Sequence, residues 1–261
     1  MTAPDNVART LVREHAAAAL FQPFAAACGI GDMAAAYRVQ SAFVDLLSRA
    51  PAARPAGYKI GLTSPRMQAM CGVDQPIAGV VLANRIHRSG TTIRTSEYGR
   101  LGIEFEIAVL LGRDVPPRSS PYTMESVGDA VEGVCAAVEL VDDRHADYKA
   151  FDVLSVVADN SWNAGIVLGD FASSWPDLRA VEGIAHRNGV ELDRGFGRDV
   201  LGHPFASLAW LANPLAASSR GLRRGEIVMT GSLVPTRFPA AGEDYRFSVA
   251  GIGDVTLKIG G

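Results

Sequence analysis

Hydrophobic and polar residues follow two different periods along the chain. After Asp32, a candidate helix N-cap, apolar residues recur at a spacing that places them on one face of a helix. An alanine-rich stretch over residues 5–21 predicts an earlier helix that ends near Pro23. Two prolines and a glycine interrupt this pattern over residues 51–57. The chain is therefore predicted to have an N-terminal helical subdomain (1–55) and a second, catalytic domain (56–261).

Beyond residue 57, apolar residues come in short runs that are typical of β-strands. Asn188-Gly189 and the Gly251–Gly253 segment predict two hairpins. Helices are predicted over 123–132 and 204–218, the second with a kink at Pro214. The predicted strands are Tyr58–Leu62, Gly79–Leu82, Ile103–Leu111, Val134–Val141, Ala164–Leu168, Ala180–His186 and Ile227–Thr230. This order indicates an α+β protein rather than regular βαβ alternation.

Composition narrows the class of protein. The 261 residues are 48% hydrophobic, enough for a sizeable core, and the formal net charge is −3. This near balance gives no support to nucleic acid or an anionic membrane as the main partner. The three cysteines form no CxxC pair, no signal peptide is recognisable, and no apolar run is long enough to span a membrane. These features predict a cytoplasmic protein.

Three glutamates are the first candidates for chemistry. Glu104 and Glu106 point to the same face of a predicted strand, because residues two apart in a strand share a face. Glu139 lies inside an apolar run, where an unpaired acid is costly to bury. Converging carboxylates would suit Mg²⁺ or Mn²⁺. From spacing alone, a solvated outer face is the commoner origin of a Glu-x-Glu pair.

The chain resembles the 2-keto-4-pentenoate hydratase/4-oxalocrotonate decarboxylase family, within the fumarylacetoacetate hydrolase superfamily. The matching blocks occur in family order from about residue 57 to the end. They are YKIGLTS (58–64), GVDQP (72–76), IEFEIAVLLGRD (103–114), VELVDDRHADY (138–148), VADN (157–160), LGHPFASLAWLAN (201–213), GEIVMTGSL (225–233) and VAGIGDVTL (249–257).

The resemblance implies a fold and a metal site. It implies a fumarylacetoacetate hydrolase-like mixed β-sheet roll or sandwich, with Glu104, Glu106 and Glu139 as ligands of Mg²⁺ or Mn²⁺. It also implies that Lys59 lies beside the metal as a general acid/base, where the alternative is a surface lysine at a strand end. It further implies a homo-oligomer that acts on a small 2-keto acid and associates with related pathway enzymes.

Further candidates fall in the matching blocks. Leu201, Gly202 and His203 open a helix, so their backbone N–H groups could receive a substrate carboxylate, or the segment is a simple turn. His203 and Ser161 are candidate catalytic residues. The remaining candidates for substrate binding are Asp159, Asn160, Thr230 and Ser232, each of which could instead serve a turn or a strand end.

Two positions depart from the hydratase pattern. Many hydratases of the family carry an acid and an aromatic residue after Gln-Pro, where this chain has Ile77 and Ala78. Decarboxylase-like members tend to be apolar at the first of these positions. After VADN the hydratases usually continue Ala-Ser, and here Trp162 takes the place of the serine, with Ser161 adjacent.

The first hypothesis is a Mg²⁺-dependent hydratase that converts 2-hydroxypenta-2,4-dienoate to 4-hydroxy-2-oxopentanoate in the meta-cleavage route of aromatic catabolism. The alternatives are decarboxylation of 2-oxohex-3-enedioate and hydrolysis of a C–C bond in an acylpyruvate. Such a hydrolase needs a base to activate water, often a His–Glu pair upstream of the Glu-x-Glu block. His87 and Glu97 are present, but their spacing does not convincingly match that motif. A different class is a catalytically silent subunit partner, against which the intact glutamates and Lys59 argue.

Overall fold

The computed structural model describes residues 3–150 and 152–261. Six helices and twelve strands are described in these two ranges. The helices are α1 (Ala3–Ala16), α2 (Met33–Leu47), α3 (Pro65–Met70), α4 (Met124–Gly128), α5 (Val153–Ala158) and α6 (Pro204–Ala217). The strands are β1 (Pro55–Gly61), β2 (Ile77–Leu82), β3 (Ile86–Arg88), β4 (Thr91–Arg94), β5 (Leu101–Leu111), β6 (Val131–Asp142), β7 (Asn163–Leu168), β8 (Glu182–Arg187), β9 (Val190–Phe196), β10 (Ile227–Ser232), β11 (Asp244–Val249) and β12 (Gly253–Gly260). The predicted α+β class is confirmed.

The strands form two mixed sheets. The larger has the order β2-β1-β10-β5-β6-β7-β3 and is built on the long antiparallel pair β5 and β6. The smaller has the order β4-β12-β11-β8-β9 and packs against β6 through β11 and β12. Phe105 of β5 lies between the sheets, with its ring centroid 6.1 Å from that of Tyr245 and 5.4 Å from that of Phe247. This apolar layer is the main core.

The larger sheet curls until β2 and β7 approach each other. Asn160, just before β7, closes the gap, because its side chain accepts from the Val80 N–H at 2.7 Å and donates to the Val80 carbonyl at 2.9 Å. The amide of Asn160 thus takes the place of a neighbouring strand's backbone. The curled sheet is a roll whose inner face holds small and apolar residues such as Ala108, Ala137 and Met229.

The first two helices pack on one end of this roll. Asp32 caps α2 as predicted, accepting from the Ala35 N–H at 2.7 Å. Phe43 of α2 and Phe21 belong to an apolar cluster that also contains Ile77 and Trp162 from the catalytic part of the chain. The helical segment therefore shares a core with the roll. The domain boundary at 55/56 stays a prediction.

Several predicted bounds are wrong, and tertiary contacts explain two of them. The first helix ends at Ala16 rather than residue 21, and the Phe21 N–H donates instead to the Arg144 carbonyl. The predicted helix over 123–132 stops at Gly128, because the chain from Val131 pairs with Leu111 in the roll. The helix over 204–218 is confirmed, although it continues through Pro214 to Ala217.

The two predicted hairpins are confirmed. Asn188 and Gly189 have φ values of 51° and 78°, the positive pair that a type I′ turn between β8 and β9 requires. Gly251, with φ of 72°, lies in the turn between β11 and β12. No helix among the described residues is long and apolar enough to cross a membrane.

Candidate active site

Three carboxylates meet on the inner face of the roll. β5 and β6 pair antiparallel with Glu104 directly opposite Glu139, and Glu106 follows on the same face of β5. One carboxylate oxygen from each residue lies within 4.8 Å of those of the other two. Glu106 and Glu139 are fully buried, and Glu104 is partly exposed toward the mouth of the roll. We call these three residues the strand cluster.

Each member of the strand cluster is held through one oxygen. Thr236 donates to Glu104 Oε1 at 2.5 Å, the Gly231 N–H to Glu106 Oε2 at 2.8 Å, and Asn163 to Glu139 Oε1 at 2.9 Å. Within residues 3–150 and 152–261, no hydrogen-bond partner reaches Glu106 Oε1 or Glu139 Oε2, although both are buried. A buried carboxylate oxygen without a partner is costly, and a divalent cation would satisfy both. The donor set therefore fits Mg²⁺ or Mn²⁺.

Lys59 of β1 is the cation that the fold supplies. Its Nζ lies 3.3 Å from Glu139 Oε1, and its side chain is 6% exposed. Burial lowers the pKa of Lys59, but the charges of the three glutamates raise it by more, so the net shift is upward. A cation held by the same carboxylates would remove much of that upward influence. The alternative weighed from the sequence, that Lys59 is a surface lysine at a strand end, is thus excluded.

One ammonium does not balance three carboxylates. Burial first, and then the charges of Glu139 and Glu104, raises the pKa of Glu106 well above its usual range. Burial raises the pKa of Glu139 to about 7, although Lys59 opposes the shift. Without a cation, this site therefore holds protons at neutral pH that ordinary glutamates release.

The C-terminal end of β10 supports Glu106 through the backbone N–H of Gly231. Gly231 has φ of 117°, and a Cβ there would lie 2.4 Å from Thr63 Oγ1, so only glycine fits beside Thr63. Thr230 Oγ1 donates to the Ile107 carbonyl, and Ser232 Oγ accepts from the Phe105 N–H at 3.1 Å. These hydroxyls hold β10 against β5 in the structure. Substrate binding by Thr230 and Ser232 stays a prediction.

The segment before α6 reaches the site through Thr63. The Leu201 N–H donates to the Thr63 carbonyl, the Gly202 N–H to Arg198 and the His203 N–H to Val200. His203 is the N-cap of α6, and its Nδ1 accepts from the Phe205 N–H at 2.9 Å. Burial lowers the pKa of His203. These donors are engaged within the chain, and their predicted roles in substrate binding and catalysis remain predictions.

A left-handed turn carries the next group of candidates. Asn160, Ser161 and Trp162 have φ values of 51°, 50° and 57°, which is costly for residues other than glycine. Ser161 Oγ donates to the Ala78 carbonyl at 2.8 Å, beside the Asn160 contacts with Val80. The turn is thereby fastened to β2. A catalytic role for Ser161 and substrate binding by Asn160 stay predictions.

Asp159 is buried between a histidine and an arginine. Its Oδ1 lies 2.6 Å from His15 Nε2 of α1, and its Oδ2 accepts from Arg144 at 2.6 Å. Arg144 also contacts Glu14 of α1 at 3.4 Å. Asp159 thus joins the first helix to the roll, and its predicted role in substrate binding is not tested by these contacts.

Ile77 lies inside the site rather than beside it. It pairs with Gly61, and a Cβ on Gly61 would be 3.5 Å from both Ile77 Cγ1 and Lys59 Nζ. The position at which many hydratases carry an acid is therefore next to the ammonium, and in this chain it is apolar. Trp162 packs against Phe21, with ring centroids 5.1 Å apart.

Sequence reasoning missed two residues that hold the strand cluster. Asn163 lies three residues after the end of the VADN block, and its position next to a predicted strand that pairs with the Glu139 strand was a usable signal. Thr236 lies in an irregular segment after β10. An isolated bridge between Ile103 and Arg237 holds this segment beside β5 and brings Thr236 to Glu104. No sequence pattern indicated that contact.

Comparison with known proteins agrees with this geometry. Residues 63–259 match the family model described as fumarylacetoacetate (FAA) hydrolase C-terminal. The chain is 33% identical to a 2-keto-4-pentenoate hydratase of Burkholderia vietnamiensis over 258 residues, covering 96% of this chain and 95% of that protein. It is also 33% identical over 204 residues to a 4-oxalocrotonate decarboxylase of Pseudomonas putida, covering 77% and 76%.

A solved structure shows the same fold over nearly the whole chain. The 4-oxalocrotonate decarboxylase of Pseudomonas putida G7, complexed with magnesium and adipate, superposes with a TM-score of 0.90 at 28% identity. The superposition covers 98% of this chain and 97% of that one. The chain therefore belongs to the fumarylacetoacetate hydrolase family, and within it to the 2-keto-4-pentenoate hydratase and 4-oxalocrotonate decarboxylase enzymes.

Proposed function

We propose that this enzyme is a Mg²⁺-dependent hydratase that adds water to 2-hydroxypenta-2,4-dienoate to give 4-hydroxy-2-oxopentanoate, as a step in aromatic catabolism. The observation that carries the proposal is the strand cluster with Lys59, in which two buried carboxylate oxygens beside an ammonium have no hydrogen-bond partner among the described residues. The hydratase names of relatives about a third identical support it.

The strand cluster would hold the cation through Glu104, Glu106 and Glu139, with Mn²⁺ as an alternative to Mg²⁺. Once bound, a divalent cation supplies Lewis-acid polarisation of the substrate's 2-oxo group and orients its carboxylate. The hydrogen bonds from Thr236, Gly231 and Asn163 fix the three carboxylates, which leaves their other oxygens for ligation. The complex of the decarboxylase relative with magnesium supports this assignment.

Lys59 would move the protons. The dienol first gains a proton at C5 and loses one from its C2 hydroxyl, which gives an α,β-unsaturated ketone. Water then adds at C4, and C3 takes up a proton. Lys59 is the titratable group in contact with the strand cluster, so it is suited to hold the proton between these steps.

Ile77 favours a second candidate, decarboxylation of 2-oxohex-3-enedioate. It pairs with Gly61, two residues from Lys59 on the same face of β1, and an acid at this position would be a second proton carrier near the ammonium. The decarboxylase also leaves a 2-hydroxydienoate, so the same cluster would serve both reactions. The high TM-score with a decarboxylase agrees with this candidate.

A product assay separates the candidates. Purified protein with Mg²⁺ is incubated in parallel with 2-hydroxypenta-2,4-dienoate, 2-oxohex-3-enedioate and an acylpyruvate, and the products are identified. We expect 4-hydroxy-2-oxopentanoate from the first substrate. Release of CO₂ from the second without hydration of the first would establish the decarboxylase, and cleavage of the acylpyruvate alone would establish a hydrolase.

A single variant tests the metal site. Glu106→Gln keeps the size of the side chain and removes its charge, so Mg²⁺ binding measured by calorimetry should weaken by about 100-fold or more. Glu132→Gln changes an exposed glutamate on the same β6 strand as Glu139 and is the matched control. Unchanged Mg²⁺ binding by Glu106→Gln would refute the metal site. If Glu106→Gln loses Mg²⁺ binding and the wild-type protein shows no enzymatic activity, the result would favour a role as a silent partner subunit.

A homo-oligomer in the cytoplasm that associates with related pathway enzymes completes the proposal. The resemblance to the family supports it, and the near-neutral charge with an apolar-rich chain is compatible with self-association. Light scattering of the purified protein measures its mass directly. A monomer at micromolar concentration would contradict this part of the proposal.

A further inference from the structure

A cavity of about 660 Å³ lies on the outer face of the larger sheet, between α2 and α6, and we call it the outer cavity. Tyr58 of β1 and Val80 of β2 pair directly and form part of its wall. The next pair along these strands, Lys59 and Gly79, faces the inside of the roll, because successive residues of a strand point to opposite faces. Two strands therefore separate the outer cavity from the strand cluster. Its volume is within the range of about 300–1,000 Å³ that is usual for small-molecule sites.

Aromatic side chains from three elements line the outer cavity. Tyr58 of β1 is buried, while Tyr37 of α2 and Trp210 of α6 are half-buried. Val80 and Leu215 add aliphatic surface beside them. Aromatic rings pack well against another ring, which they meet offset-stacked or edge to face. The lining therefore favours a ligand with a planar apolar body.

Two phenol groups of the outer cavity each have a proton to donate. Tyr37 Oη accepts from the Ala78 N–H at 2.9 Å, and Tyr58 Oη accepts from Arg220 Nη2 at 3.2 Å. Within residues 3–150 and 152–261, neither phenol O–H has an acceptor of its own. Burial raises the pKa of both tyrosines, so both hydroxyls stay protonated at neutral pH. A ligand oxygen that accepts hydrogen bonds would satisfy them.

The charged side chains of the outer cavity leave one positive charge in excess. Arg38 and Arg220 line it together with one acid among the described residues, Asp45, and all three are exposed at its rim. The ion pairs of the described part of the chain include none of the three. A guanidinium without a carboxylate partner can bind a ligand carboxylate through two parallel hydrogen bonds. A monoanion matches the excess, whereas a phosphate monoester would bring about two negative charges close to Asp45.

We propose that the outer cavity is a second ligand site, separate from the strand cluster, and that it binds aromatic monocarboxylates. Tyr37, Tyr58 and Trp210 hold the ring, and Arg220 with the phenol hydroxyls holds the carboxylate. The inference goes beyond the proposed function and does not depend on it, because binding here requires neither the metal nor turnover.

Three probes test the chemistry of this site. 2-Naphthoate carries the ring and the charge, 2-naphthamide has the same shape without the charge, and hexanoate has the charge without the ring. Binding to the full chain is measured by calorimetry with EDTA present, so that the uncompensated carboxylates of the strand cluster repel the anions. We expect 2-naphthoate to bind about tenfold tighter than either of the other two, since each of them lacks one of the two contacts.

Two variants locate the bound ligand. Arg220→Gln should weaken 2-naphthoate about tenfold and leave 2-naphthamide unchanged, because only the charged ligand needs the guanidinium. Arg224→Gln changes an exposed arginine of the same segment outside the lining and is the matched control. Ala34→Trp places a large ring in the outer cavity from an exposed position of α2 and should abolish binding of both naphthyl probes. Unchanged Mg²⁺ binding by Ala34→Trp would show that this variant is folded.

Each contrary outcome is distinct. No binding of 2-naphthoate up to about 1 mM would overturn the inference, also where light scattering shows that a second copy of the chain is available to cover the outer cavity. Equal affinity for 2-naphthamide would overturn the assignment of a carboxylate. Unchanged binding in both Arg220→Gln and Ala34→Trp would place the ligand elsewhere and overturn the site. Loss of the proposed function, in a protein that binds no Mg²⁺ or hydrates no dienoate, leaves all of these measurements unaffected.

Discussion

Two groups of buried acids, each with one member on β6, are treated in opposite ways. The strand cluster has three carboxylates, one ammonium and two buried oxygens without a partner in the described ranges. A second group, which we call the seam cluster, joins the roll to α1. It consists of Asp142, Asp143 and Asp159 with the basic side chains Arg100, Arg144 and His15.

In the seam cluster every carboxylate oxygen has a donor. Asp142 accepts from the N–H groups of Gly99, Arg100 and Arg144, while Asp143 and Asp159 meet side-chain cations. The difference teaches that burial of an acid does not by itself indicate a functional site. Acids that are matched hold parts of the fold together, and acids that are left unmatched indicate a missing positive charge.

The largest effect should come from breaking the seam cluster. Arg144→Met removes a guanidinium that is 1% exposed and leaves Asp159 with only His15. We expect a loss of about 3–5 kcal/mol in the free energy of unfolding, since an unpaired charge stays buried. Urea unfolding measures it. Arg9→Met on the exposed face of α1 is the control, and a loss no larger than the control's would show that the seam cluster is not needed for stability.

Removing a charge from the strand cluster should raise the free energy of unfolding rather than lower it. Without metal at pH 8, Glu106→Gln should stabilise the protein by about 1–3 kcal/mol, because it removes a buried acid that the site cannot pair. The same urea measurement applies, with EDTA present and Glu132→Gln as the control. Destabilisation by Glu106→Gln would erase the contrast between the two clusters.

The pH dependence of the metal-free protein should follow the strand cluster. A carboxyl whose folded pKa is raised binds more protons folded than unfolded, so stability falls as pH rises between the two values. For Glu139 this window runs from 4.5 to about 7. We expect a decrease on the order of 3 kcal/mol across it, since each unit by which the folded pKa is raised corresponds to about 1.4 kcal/mol.

Thermal unfolding at pH 5 and pH 7.5 with EDTA checks this slope. Saturating Mg²⁺ should remove the decrease, because the cation binds the ionised carboxylates and its affinity rises with pH. A melting temperature that rises from pH 5 to pH 7.5 without metal would show that the glutamates are matched after all.

The smallest effect should come from Thr236, which contacts the strand cluster from outside. Thr236→Val keeps the shape of the side chain and removes its hydrogen bond to Glu104. Mg²⁺ binding should weaken by about tenfold, as is typical when a group that orients a ligand is lost. Calorimetry measures it, and Thr92→Val on the smaller sheet is the control. An unchanged dissociation constant for Mg²⁺ would mean that the hydrogen bond from Thr236 does not orient Glu104 for metal binding.

Much of the fold could be predicted because local pattern and tertiary structure agree. The long apolar runs of β5 and β6 and the Asn-Gly turn were readable, since each carries its own strand or turn signal. β3 and β4 were missed because they are three and four residues long and take their places from pairing with β7 and β12. Short strands of this kind are specified by neighbours rather than by their own sequence.

The candidate site could be predicted only in part from single positions. The spacing of Glu104 and Glu106 gave their common face, but only the register with β6 places Glu139 opposite Glu104. Nothing local marks Asp159 as half of an ion pair, because its partners lie 15 and 144 positions away. Long-range pairing of charges leaves no period in a sequence.

The closure of the roll by Asn160 also bears on the order in which the chain can assemble. The contacts of Asn160 with Val80 and of Asp159 with His15 span 80 and 144 positions. Contacts so distant in sequence carry a large loop-closure cost and form after local pairs. Docking of the first helix onto the roll is therefore expected late in folding, after the strands that it fastens have paired.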